Sequence, residues 1–143
     1  MLRKSQIYAL VSLSIALWIL ATLNIRLRPD AFLDPVRGTI PFVAAPLAGW
    51  LSVWLCRLVG KLSIDQLLPG VALVGAVAMM MDGAALKWFS GVYGFDERAL
   101  RVGAAWLLWG YGIALGVAVI WAARSQGQVA GSAHSTESLE RVT

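Results

Sequence analysis

Apolar residues along this chain fall into four long runs, 7–25, 39–58, 68–89 and 100–123, each bounded by charged or helix-breaking positions. Each run is close to the ~20 residues that cross a ~30 Å hydrocarbon layer at 1.5 Å rise per residue. None alternates with the two-residue period of a membrane β-strand, so the pattern predicts four α-helices. The expected fold is therefore all-α, an integral membrane four-helix bundle.

The punctuation between the runs supports that division. Arg3 and Lys4 precede the first run, which is too long for a secretory signal core and has no small-x-small cleavage site before Asn24, Arg26 and Arg28, so it reads as a retained span. Residues 26–38 contain Arg26, Arg28, Arg37, Asp30, Asp34, Pro29 and Pro35, a composition that ends a membrane helix and makes a connector. In the second run Pro41 suits a first turn, whereas Pro46 lies inside and predicts a kink. The chain then turns through Gly60, and Ser63 with Gln66 has the spacing of a capping box. That leaves two starts for the third helix: Ile64, which puts Pro69 inside, or Leu68, which puts it in the first turn. Gly91 and Gly94 break the third run, and Asp96 is placed to cap the fourth, with Glu97 in its first turn. Beyond Arg124 the chain is Ser, Gly, Gln, Thr and Glu with few large apolar residues, which predicts a disordered polar tail over 124–143 carrying His134.

Composition agrees with a lipid setting: 59% of residues are apolar and 14% charged. The net charge of +4 is spread over both ends and all three connectors with no basic stripe, so it points to phospholipid headgroups and not to nucleic acid. Cys56 is the only cysteine and His134 the only histidine, so one chain can form neither an internal disulfide nor a Cys/His metal site. No nucleophile elbow, phosphate loop or paired carboxylates appear, and neither enzyme activity nor a cofactor is expected. Orientation is undecided by charge. Arg3, Lys4, Arg57, Lys61, Arg124 and Arg141 on one side balance Arg26, Arg28, Arg37, Lys87, Arg98 and Arg101 on the other. The charged start tilts both termini to the cytoplasmic side of a cell membrane.

The third run carries the main candidate for chemistry. Asp82 lies well inside it, where an acid at mid-helix costs roughly 2.5–3.5 kcal/mol on the insertion scale. It reads either as a proton or cation site, or as a structural acid paired with Lys87 or Arg101 or bonded to span-four groups such as Tyr111. Trp88 and Trp121 sit at run ends, as interfacial residues do. Trp50 and Trp54 lie one turn apart, as do Trp106 and Trp109, and with Tyr111 they read either as an aromatic cavity or as large packing residues. Ala44, Ala48, Ser52 and Cys56 recur every fourth position, and Gly112 with Gly116 forms a Gly-x-x-x-Gly pair, both readable as helix-packing surfaces. Met79, Met80 and Met81 suit adaptable packing around Asp82.

Four segments, Pro69-Gly70, Met81-Asp82-Gly83-Ala84-Ala85-Leu86, Trp88-Phe89 and the run from Ala104 to Leu115, resemble a family of small four-span bacterial membrane proteins of unknown function over residues 68–116. The resemblance implies a bacterial inner-membrane four-helix protein and no activity. The chain is also similar in size and span number to the small multidrug-resistance transporters. Their essential acid lies in span one, which here has none, so it does not carry over to Asp82. Two functions compete: an accessory, self-associating protein with lipid, a second copy or another membrane protein as partner, and a minimal proton-coupled small-molecule transporter using Asp82.

Overall fold

A computed structural model describes the backbone of residues 1–34, 36–94 and 96–140, and their side chains except those of 30, 31 and 125–140. It is all-helical: α1 (Lys4–Leu27), α2 (Pro29–Leu33), α3 (Thr39–Gly60), α4 (Ile64–Trp88), a short 3-10 turn (Ser90–Val92) and α5 (Glu97–Glu140). Four of these, α1, α3, α4 and the Glu97–Arg124 part of α5, are long and apolar enough to cross a membrane. Within their most apolar windows only 17% to 33% of residues are buried against the rest of the chain. The rest is half-buried or exposed, with Leu20, Val43, Leu47, Met80 and Leu108 each 65% to 75% exposed, an extent of uncovered apolar side chain unusual for a soluble monomer.

The four helices form a ring in which α1 packs on α4, α4 on α5, α5 on α3 and α3 on α1. Neighbours in sequence are thus not the only neighbours in space: α1 with α4, and α3 with α5, are first-with-third and second-with-fourth pairs. Glycines of α3 and α5 allow close approach between helices. A Cβ on Gly49 would stand 2.8 Å from Ile113 Cγ2, and one on Gly103 would stand 3.1 Å from Ile25. The core divides into a layer around Leu10, Val53, Leu67 and Ala118 and a second around Ile25, Phe32, Ala85, Tyr93 and Leu107.

Between the two starts left open for the third helix, the capping box wins. Ser63 and Gln66 cap each other's backbone groups, α4 begins at Ile64, and Pro69 lies inside. Gln66 does more than cap: its Nε2 donates to Met1 O at 2.7 Å, while Gln6 Nε2 donates to Gly60 O at 2.9 Å and Gln66 Oε1 at 3.1 Å. These glutamines tie together the ends of α1, α3 and α4. Asp96 accepts from Ala99 N at 2.7 Å, the cap its position predicted.

The helix α5 runs on to Glu140, where sequence composition predicted a disordered tail. No proline follows Pro69 to stop it, and Ala, Gln, Ser and Glu are all compatible with a helix. Residues 141–143, and the side chain of His134, lie outside the described ones.

Candidate functional site

Asp82 lies on the inward face of α4, one turn before Leu86, and is 6% exposed. Its Oδ1 accepts from Trp18 Nε1 of α1 at 2.8 Å and from the Tyr93 hydroxyl. Its Oδ2 accepts from the Tyr111 hydroxyl of α5. One carboxylate therefore joins α1, α4, α5 and the turn that leads into α5. All three donors are neutral. Neither Lys87 nor Arg101 pairs with it, so of the structural partners foreseen from sequence it is Tyr111 that the fold supplies.

Local structure explains why these groups meet. Trp18 sits mid-helix on α1, half-buried, and its indole N–H finds its acceptor in Asp82 across the helix interface. The 3-10 turn after Trp88 folds Tyr93 back under the bundle, leaving it 3% exposed. Arg26 holds that turn from α1, its Nη1 donating to Gly91 O and Val92 O at 3.3 Å each. Burial, and next the bond to Asp82, push the Tyr93 phenol well above its ordinary value of 10.0. Thr22, one turn beyond Trp18, is 5% exposed, and its Oγ1 finds no hydrogen-bond partner.

Beside this cluster lies a cleft of about 650 Å³ walled by α1, α3, α4 and α5. Trp18 and Tyr111, two of the three donors to Asp82, form part of its wall, whereas Asp82 itself sits behind them. Val71, Val74 and Ala78 of α4 are buried and make its floor. Leu20, Leu23 and Leu27 of α1 are exposed and mark its open side, with Asn24 and Arg28 on the same helix.

The aromatic set foreseen from sequence is divided by the fold. Trp106 and Tyr111 line the cleft, while Trp50, Trp54 and Trp109 are 46%, 42% and 53% exposed on the outside of the bundle. Trp106 and Trp109 have a different task. Pro46 lacks the N–H that would bond Phe42 O four residues back, and its ring crowds that turn. Trp109 Nε1 donates to Phe42 O at 3.2 Å and Trp106 Nε1 to Pro41 O at 3.0 Å, so indole groups of α5 satisfy carbonyls around the α3 proline.

The small residues also sort unexpectedly. Ala48, Ser52 and Cys56 line the cleft, Ala44 is exposed, and Cys56 is a buried free thiol. Gly112 and Gly116 face outward with nothing within 4 Å of a Cβ, so they do not serve packing inside the chain; Gly49 and Gly103 do. Among the described residues no group of three or more His, Cys, Asp or Glu could hold a metal.

Sequence reasoning found Asp82 and Tyr111 but not Trp18 or Tyr93 as companions. The signals were a tryptophan at mid-span and a tyrosine between two glycine breaks; their convergence across 64 and 11 residues is set by packing. No family model, curated protein or solved structure matches the chain. The resemblance over residues 68–116 therefore stands on its short motifs alone.

Proposed function

We propose that this chain is a multi-pass membrane protein with a structural or accessory role and no catalytic activity, in which Asp82 braces the bundle. The supporting observation is that both carboxylate oxygens are occupied by three neutral donors from other elements, with no second acid or histidine bonded to them among the described residues. An acid held this way repays its insertion cost through hydrogen bonds, which hydrocarbon makes obligatory. Lipid is the solvent partner. Self-association through the outward Gly112 and Gly116 face of α5, and termini on the cytoplasmic side, complete the proposal.

A proton-coupled transporter is the second reading, supported by the cleft whose wall includes Trp18 and Tyr111. Purified wild-type protein and Asp82→Asn, each in proteoliposomes with an imposed pH gradient, separate the two. Bracing predicts no gradient-driven flux in either and a lowered unfolding midpoint in the variant. Transport predicts flux in the wild type that vanishes in a variant that still folds.

A further inference from the structure

We infer that the cleft between α1 and α3 holds one acyl chain of an anionic phospholipid, with Arg28 and Asn24 receiving the phosphate at its mouth. The inference rests on the membrane-spanning reading and goes beyond it by giving the cleft an occupant.

Size comes first. A volume of about 650 Å³ lies within the roughly 300–1,000 Å³ of sites that take one small ligand. The wall is chiefly aliphatic, with Leu17, Leu107 and Leu115 facing Val53 and Val74. The exposed Leu20, Leu23 and Leu27 place the opening along the side of the bundle, where the neighbouring medium of a membrane protein is acyl chain.

Charge then decides the headgroup. Asp82 lies behind the wall with both oxygens engaged, so it offers little to a cationic ligand. Arg28, by contrast, is part of the lining, caps the C-terminal end of α1 and pairs with no carboxylate among the described residues. It stands at the end of the bundle formed by the first and third connectors. That end carries Arg26, Arg28, Arg37, Lys87, Arg98 and Arg101 against Asp30, Asp34, Asp96 and Glu97, a surplus of two positive charges. A guanidinium at headgroup depth beside an apolar trough matches a phosphate joined to a chain.

Native mass spectrometry of the detergent-purified full chain, offered phosphatidylglycerol, phosphatidylcholine, oleate or inorganic phosphate in turn, tests this. The inference expects one retained phosphatidylglycerol, bound about ten-fold or more tightly than phosphatidylcholine, a preference lost in Arg28→Gln. Ala48→Trp, which fills the cleft from an exposed position, should abolish retention. Ser52→Leu is the second filling variant should the first fail to fold by circular dichroism.

Equal retention of both phospholipids, retention unchanged by filling, or binding of oleate or phosphate alone would each overturn the assignment. Protein that stays monodisperse without detergent would instead overturn the membrane reading, a separate result.

Discussion

At the scale of single residues, Asp82 concentrates the chemistry and the predictions. Asp82→Asn keeps an acceptor for Trp18 and Tyr93 and can donate to the Tyr111 oxygen, so thermal unfolding in detergent should show a loss of about 1 kcal/mol. Asp82→Leu strands three donors and should cost about 3–5 kcal/mol in the same measurement. A variant series in which Asn proves as damaging as Leu would mean that charge, not hydrogen bonding, holds the site. Tyr93 adds a pH dependence. Its phenol is raised above 10.0 by burial first, so the folded state favours the neutral form. That stabilisation is complete below pH 10.0 and is lost as pH climbs above it. Unfolding midpoints measured from pH 8 to 11 should therefore fall more steeply in the wild type than in Tyr93→Phe. Asp82 was legible as the outstanding residue because an acid amid Met and Ala has no solvent. Its partners were not, since nothing local brings Trp18 or Tyr93 to it.

At the scale of elements, helix number and most boundaries could be read from hydropathy and caps. Ser63, Gln66 and Asp96 act through neighbours three residues away, a range that sequence displays directly. The uses of small and aromatic residues could not be read, because periodicity gives a face but not what the face meets. Gly112 and Gly116 form the better motif, yet Gly49 makes the close approach of α3 to α5. Gly49→Val should push these helices apart against the stiff Ile113 and the backbone at Ala114, costing about 1–3 kcal/mol by thermal unfolding. The α3 kink gives a sharper test. Trp109→Phe should cost about 0.5–1.5 kcal/mol, as Phe42 O loses its donor. In a Pro46→Ala background the helix regains its own N–H there, and the cost of Trp109→Phe should shrink toward zero. An unchanged cost across that double-mutant cycle would show that the indole merely packs.

For the molecule as a whole, four helices are long and apolar enough to cross a membrane, and the proposed four crossings would put the first connector and the C-terminus on opposite sides. Reporter fusions near Gly38 and at Thr143 should report different compartments; the same compartment for both would rule out four crossings. The ring order of the helices has a consequence for how the protein is made. The third helix is made with Asp82 in it while Tyr93 and Tyr111 are still to be synthesised, and of its three donors only Trp18 already exists. Asp82 gains its second donor only when the turn holding Tyr93 is made and its third only when the last helix brings Tyr111, so its hydrogen bonding is completed from the C-terminal end and not hairpin by hairpin.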